Sequence, residues 1–292
     1  MATILLTGVT GFLGSHLLAA LIHRGHKVVA IKRSTSNTWR ITDLLHQARL
    51  YDVDAVGIGQ PFKDQMIDVV IHTACNYGRD GETVSQVIES NLMFGVRVLD
   101  ACIRYGAKAF INTDTLLPRN LNDYALSKAQ FVDWLKQKQD RIQVVNIQLE
   151  HMYGPRDDPT KLVPWLLTQL QSGADRIDLT SGEQLRDFIY IDDVVAAYLT
   201  ILDNLHAMKG FEQFEVGLGR SIQVKTFIQL LKREYERRFG ENRTILNFGA
   251  IPYREGEPMA FHAHIEALTA LGWTPKIGHE EGLRRVIKEM EK

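Results

Sequence analysis

Cysteine is scarce: Cys75 and Cys102 are the only two in 292 residues. Two cysteines build no disulfide framework, and their spacing matches no zinc site, so no structural metal is expected. An excess of one charge is also missing. The 34 Lys and Arg balance 35 Asp and Glu to a net charge of -1, and without a basic surplus nothing argues for nucleic acid as a partner. No apolar run is long enough to cross a bilayer, so no membrane partner is expected. The chain enters its first strand at once, without a signal-peptide pattern. Together these absences predict a soluble cytoplasmic protein of a reducing compartment. What is present is ordinary globular composition, 45% hydrophobic and 24% charged, in a length that suits one large domain or two modest ones.

The most informative stretch is Thr3 to Gly14, Thr-Ile-Leu-Leu-Thr-Gly-Val-Thr-Gly-Phe-Leu-Gly. Ile4, Leu5 and Leu6 suit a buried strand. Gly8, Gly11 and Gly14 follow at even spacing. Leu17, Leu18, Leu21 and Ile22 then recur at helical spacing up to Gly25. A glycine turn between strand and helix lets backbone approach a ligand closely, and the free N–H groups at the helix start favour a pyrophosphate. An ordinary glycine turn is the plainer alternative. The spacing is wider than G-x-G-x-x-G and resembles the T-G-x-x-G-x-x-G of the extended branch of the short-chain dehydrogenase/reductase superfamily. The resemblance implies that Gly8, Thr10, Gly11, Phe12, Leu13 and Gly14 hold a dinucleotide.

Lys27-Val-Val-Ala-Ile31 reads as the second strand, ending in Lys32-Arg33-Ser34. An acidic residue at this point binds the ribose of NAD, whereas a basic one accommodates the 2′-phosphate of NADP. These three residues therefore predict NADP(H), against the alternative of a solvated basic turn. A helix is expected over 41–50, with Asp52 and Val53 beside the adenine. Asp68 to Ile71 is another buried strand, ending in His72-Thr73-Ala74 under the cofactor. His72 resembles the first residue of the superfamily's H-x-A motif, and a core histidine at a strand end is the favoured reading of it. A long helix over 83–105 carries Asn91 on its buried face, where it needs a partner. The resemblance makes that partner part of the site floor, with Tyr77 on the substrate side.

A strand over 107–111 is followed by Asn112-Thr113-Asp114-Thr115, and a helix opens at Tyr124-Ala-Leu-Ser-Lys128. Tyr and Lys one turn apart share a helix face. A nearby ammonium makes a phenol a better proton donor, which carbonyl reduction requires. Such a pair is commonly a surface pair; its order after the glycine turn and a hydroxyl-bearing strand end is that of the superfamily. The resemblance assigns Tyr124 as acid/base, Lys128 as its tuner and ribose ligand, and Thr113 as the group that holds the carbonyl. The 4,6-dehydratases of this branch have Thr-Asp-Glu where this chain has Thr113-Asp114-Thr115, so dehydration is disfavoured, and Asp114 and Thr115 are left to face substrate.

Beyond the next strand, 143–147, Tyr153-Gly-Pro155 is a turn signal resembling the exit to the substrate lobe. Glu150 and His151 are read equally as sugar contacts or as a structural pair. Lys161 resembles a nucleotide-sugar contact. Arg186-Asp-Phe188 with Asp192-Asp-Val194 resembles the R-D-F-x-x-x-D-D-V motif of nucleotide-sugar enzymes. Arg186 is the candidate for the substrate diphosphate, against a salt bridge to Asp187 or Asp192. Arg254-Glu-Gly-Glu257 and Leu271-Gly-Trp273-Thr-Pro275 resemble later family segments, Arg254 being a second phosphate ligand.

The expected fold is α/β, a Rossmann-type doubly wound parallel sheet with a smaller C-terminal substrate-binding lobe. Residues 1–149 form the NADP-binding domain, with 186–205 returning to it, and 150–292 form the nucleotide-sugar lobe. Leu149-Glu-His-Met-Tyr-Gly-Pro155 and Gly182-Glu-Gln-Leu-Arg-Asp-Phe188 together resemble the abequose and paratose synthase group. That resemblance implies NADPH-dependent reduction of a 4-keto nucleotide sugar by a homodimer. A 4-epimerase holding NAD and a non-catalytic dinucleotide sensor remain the alternatives.

Overall fold

Residues that are apolar without alternation form strands covered on both faces, and they set the architecture of this computed structural model, which describes residues 1–79, 81–254 and 256–291. Six strands follow the chain: β1 (Thr3–Thr7), β2 (Lys27–Lys32), β3 (Arg49–Asp52), β4 (Val69–His72), β5 (Ala109–Thr115) and β6 (Gln143–Leu149). Ile4, Leu5, Leu6, Val70, Ile71, Phe110, Ile111, Val144 and Val145 are all fully enclosed, as a sheet with helices on both sides requires. β1 pairs in parallel with β2 and β4, β2 with β3, β4 with β5, and β5 with β6. A seventh strand, Phe211–Val216, lies beside β6, so the order across the sheet is Phe211–Val216, β6, β5, β4, β1, β2, β3. This is the doubly wound order. It reverses between β1 and β4, and the crevice at the carboxyl ends of those two strands is where such sheets bind ligands.

The chain divides into two compact units. The first comprises 1–149 and 198–214, the second 150–197 and 215–292. The returning segment is therefore 198–214, which corrects the expected 186–205. Residues 186–197 stay with the second unit because Asp187 and Asp193 are bound into it. The buried Asp187 carboxylate accepts the N–H groups of Leu218 (2.6 Å), Gly219 (2.9 Å) and Ala263 (3.2 Å). Asp193 accepts those of Lys276 (3.0 Å) and Ile277 (2.8 Å), and its carbonyl accepts from Trp273 Nε1 at 3.0 Å. Among the described residues the second unit holds three two-stranded pairings: His151–Tyr153 with Phe188–Tyr190, Leu185–Arg186 with Ile222–Gln223, and Arg176–Leu179 with Ile245–Phe248.

Three local expectations change. Trp39–Gln47 is a 3-10 run, not a helix over 41–50, and Arg49–Asp52 is a strand. Only Ile41 of that run is buried, whereas pairing of Val29–Lys32 with Arg49–Asp52 places Tyr51 against the sheet core. β5 runs on through Thr115, because Asn112–Thr115 pair with Asn146–Leu149. Thr113 is thus held inside a ladder and not on a free loop. The long helix is interrupted: Val84–Ile88 and Phe94–Tyr105 are α-helical, and Glu89–Met93 between them is a π-helical turn. Such turns recur at functional sites, and this one contains Asn91.

Candidate active site

The glycine turn is shaped by contacts that admit no side chain. Gly8 follows β1 with φ at 66°, and a Cβ there would lie 2.7 Å from both Ala74 N and Thr73 Oγ1, beyond the end of β4. A Cβ at Gly14 would come within 2.1 Å of Gly8 O. The helix Phe12–His23 therefore begins directly against the turn, and Gly11 at its N-cap offers no side chain to cap it. Thr7 ties the crevice together: its Oγ1 accepts the N–H of Thr73 (3.1 Å) and of Ala74 (3.2 Å), while its carbonyl accepts from Thr73 Oγ1 at 2.8 Å. This tight cradle, with an uncapped helix start and the exposed Gly11, fits the pyrophosphate of a dinucleotide. Thr10 and Phe12 beside it are half-buried, and Leu13 is buried.

At the end of β2 the basic residues have acidic partners that the linear sequence conceals. Lys32 is ion-paired with Asp52, its register partner on β3. Asp54 accepts the Ser34 N–H at 2.8 Å and the Ser34 hydroxyl at 2.5 Å, and these bonds hold its carboxyl below the usual range. Arg33 is exposed and Val53 half-buried beside them. Two of the three residues expected to meet a 2′-phosphate, Lys32 and Ser34, are thus engaged by carboxylates of the chain itself, Asp52 and Asp54.

His72 is a core residue. Its ring is fully enclosed, among Phe94, Phe110 and Phe131 at centroid distances of 5.8, 5.7 and 5.5 Å. Nδ1 bonds Thr7 Oγ1 at 3.0 Å, and burial, with Lys128 nearby, lowers its pKa to about 3. No surface of it is left for a cofactor, which corrects its place among the cofactor ligands. Asn91 is also enclosed. Its Oδ1 accepts the Asn76 N–H at 2.6 Å, and its Nδ2 donates to Asn76 O (2.8 Å) and Ser127 Oγ (3.0 Å). The π turn presents all three bonds, so Asn91 joins the loop after β4 to the helix that carries Tyr124 and Lys128.

That helix, Asp123–Gln137, is capped by Asn122, whose side chain accepts the Ala125 N–H at 2.8 Å. Ser127 Oγ donates back to Tyr124 O at 2.9 Å, and Gly95 lets Phe131 pack where a Cβ would lie 2.7 Å from its ring. Tyr124 is half-buried and Lys128 almost fully enclosed. Burial drives Tyr124 well up, with Cys75, Tyr77 and Asp114 adding to the shift and Arg79 opposing it. Burial drives Lys128 down, against Cys75 and Asp114. In the chain alone the phenol is therefore held protonated, and the groups that shift it are burial, Cys75, Tyr77, Asp114 and Arg79 rather than the lysine.

Tyr77 lies 5.0 Å from Tyr124, ring to ring, with the Arg79 guanidinium 5.3 Å from its ring centroid. Asp114 accepts from Asn146 Nδ2 at 3.0 Å, and Asn146 Oδ1 accepts from Asn112 Nδ2 at 2.7 Å. Thr115 Oγ1 accepts the Leu117 N–H at 3.2 Å and so shapes the turn after β5. Thr113 Oγ1 meets the hydroxyl of Tyr198 at 2.7 Å, a partner 85 residues away with no sequence signal. Cys75, Asn146 and Asp54 were equally invisible to motif reading.

In the second unit, Arg186 pairs with neither Asp187 nor Asp192. It is ion-paired with Glu257, donates to Leu185 O at 2.7 Å and faces the Phe261 ring at 5.4 Å. Asp192 instead meets Arg285 at 3.4 Å. Glu150 and His151 bond each other at 2.9 Å, leaving Glu150 Oε1 buried without a partner among the described residues. Lys161 sits at the N-cap of the helix Leu162–Gln171, and Arg254 is exposed.

Comparison with known proteins agrees with this architecture. A model of the NAD dependent epimerase/dehydratase family matches residues 4–217. A CDP-abequose synthase of Salmonella muenchen is 33% identical over 99% of this chain and 98% of its own. One from Salmonella typhimurium is 31% identical over 98% of each. Among solved structures, a UDP-glucuronic acid 4-epimerase from Bacillus cereus, in complex with UDP-glucuronic acid and NAD, is 25% identical with a TM-score of 0.83 over 99% of both chains. The UDP-glucose 4-epimerase of Thermotoga maritima shares the fold at 24% identity and a TM-score of 0.85, over 99% of this chain and 98% of its own. The doubly wound sheet, the glycine cradle and the full-length likeness lead to one conclusion: this chain belongs to the NAD dependent epimerase/dehydratase family, within the extended short-chain dehydrogenases/reductases.

Proposed function

We propose that this protein reduces the 4-keto group of a nucleotide-diphosphate-linked deoxysugar with NADPH, a CDP-4-keto-3,6-dideoxyhexose being the first candidate, in the making of bacterial surface polysaccharide. The observation that carries the reading is the succession of Thr113 in the last rungs of the β5 ladder and Tyr124 and Lys128 on the helix that follows, in a chain similar along its whole length to CDP-abequose synthases. NADPH, when bound, supplies the hydride. Tyr124 donates the proton to the carbonyl oxygen, and a phenol held protonated by burial suits that direction of reaction. Lys128 holds the ribose and steadies the phenolate left behind. Thr113 donates to the same oxygen. Arg186 and Arg254 bind the diphosphate, so binding energy remote from the reacting carbon orients the ring. Glu150, His151, Lys161, Tyr77, Asp114 and Thr115 belong to the sugar side of this proposal. A cytoplasmic homodimer is part of it too, with the exposed Met93 and Trp134 on the two helices that would pair.

The test is NADPH consumption with CDP-, dTDP- and GDP-linked 4-keto-6-deoxy sugars side by side, with NADH as control. Turnover of one substrate names the base. Tyr124→Phe is expected to lose turnover by at least about 100-fold while NADPH still binds; unchanged turnover would sink the assignment. A 4-epimerase is the competing reading, favoured by the epimerases among the similar folds. Protein purified with tightly held NAD, and interconverting a non-keto nucleotide sugar, would establish it instead.

A further inference from the structure

Tyr198 lies on the helix Ile191–Asn204 and is almost completely buried. Its hydroxyl has one hydrogen-bond partner among the described residues, Thr113 Oγ1 at 2.7 Å. Both groups can donate or accept, so geometry alone leaves the direction open. The surroundings decide it. Were Thr113 the donor, the phenol proton of Tyr198 would be left in the interior without an acceptor, which is costly. Thr113 is only half-buried, so its own proton is not confined to the interior. Burial also raises the Tyr198 pKa, so its hydroxyl keeps its proton across the working range. Tyr198 therefore donates and Thr113 accepts.

We infer that Tyr198 is a positioning residue that turns Thr113 into an obligate donor: by filling an acceptor site of the Thr113 oxygen, it directs the Thr113 proton outward, toward the position of the substrate carbonyl oxygen. The inference rests on the proposed role of Thr113. Without Tyr198, no hydrogen bond among the described residues fixes the rotation of the Thr113 hydroxyl, which must then be oriented at each turnover. A donor aimed before the reaction costs no reorganisation when charge develops on the oxygen.

The experiment compares wild type, Thr113→Val, Tyr198→Phe and the double variant for kcat and KM on the 4-keto nucleotide sugar that wild type turns over, with NADPH affinity by fluorescence and a thermal melt for each. Thr113→Val is expected to lower kcat by about 100-fold. Tyr198→Phe removes one oxygen and keeps the ring, and is expected to lower kcat by about 10-fold. Its KM and NADPH affinity should stay within about two-fold, and the double variant should be no slower than Thr113→Val alone. Losses that multiply in the double variant, or full kcat in Tyr198→Phe while Thr113→Val is impaired, overturn this inference and leave the reductase reading standing. Full activity in Thr113→Val removes the role of Thr113 and this inference with it. So does the absence of wild-type turnover on every keto sugar, which also removes the reductase reading. If Tyr198→Phe melts early, Thr113→Ser decides the matter: it keeps the hydroxyl that Tyr198 holds and should retain most of kcat, and loss equal to that of Thr113→Val refutes the inference.

Discussion

Three glycine-to-alanine substitutions separate two effects that the glycine turn combines. Gly25 has φ at 77° and open space where its Cβ would go. Gly14 has ordinary helical backbone, but its Cβ would sit 2.1 Å from Gly8 O, 2.7 Å from Gly8 C and 3.0 Å from Val9 Cα. Gly8 has both problems, with φ at 66° and a Cβ 2.7 Å from Ala74 N. For Gly25→Ala the left-handed backbone costs about 1–2 kcal/mol, and the stiffer unfolded chain returns part of it. The net loss should be about 1 kcal/mol, roughly a 3 °C fall in Tm for a chain of this size. Gly14→Ala gains helix propensity of up to about 1 kcal/mol. Its clash, however, is with backbone that cannot rotate away. Opening it needs a shift of about 1 Å, at the upper end of overpacking costs, so the net loss should be about 2 kcal/mol. Gly8→Ala adds both penalties and should lose about 3 kcal/mol or more. The assay is a thermal melt of each variant with NADPH titration by fluorescence. Gly25→Ala should bind like wild type, while the other two weaken binding because they move the turn. A Gly14→Ala protein more stable than Gly25→Ala, or with unchanged NADPH affinity, would refute the packing argument.

Two further outcomes are expected. In Asp54→Asn the donors of Ser34 lose their internal anion, so NADPH should bind about three- to ten-fold tighter while NADH is unaffected; equal shifts for the two cofactors would show that Asp54 does not compete with the 2′-phosphate. The buried His72 has its pKa lowered from 6.5 to about 3, so below pH 6.5 the unfolded chain takes up a proton that the folded chain refuses until about pH 3. The stability this residue contributes above pH 6.5 is therefore lost as pH falls through that window, by up to about 1.4 kcal/mol per pH unit. Urea midpoints at pH 7.0 and 5.5 (about one proton's worth of window) should differ less in His72→Asn than in wild type, and an identical pH slope in both would contradict the assignment.

Much of the first unit was legible because its signals are local. A short apolar run rich in β-branched residues and bounded by turn residues reads as a covered strand. Three glycines before a helix can only be a close turn. Tyr and Lys four positions apart share a helix face whatever lies around them. The doubly wound order then follows from alternating strands and helices. Bounds were less secure where local pattern and pairing disagreed: Arg49–Asp52 has the composition to extend a helix, and β2 takes it as a strand.

By itself the sequence determined the strand, glycine turn and helix that open the chain, the placement of the glycine cradle at the end of β1, and the spacing of Tyr124 and Lys128. Tertiary structure alone decided what these groups meet. Tyr198 reaches Thr113 across 85 positions, Arg186 reaches Glu257 across 71, and Asp54 reaches Ser34 across 20. The π turn that delivers Asn91 to Asn76 and Ser127 has no pattern of its own. The physical reason is the range of the forces that write each signal. Periodicity records which side of one element faces the core, while a hydrogen bond between distant residues depends on register and packing summed over many elements, and no short stretch of chain carries that sum.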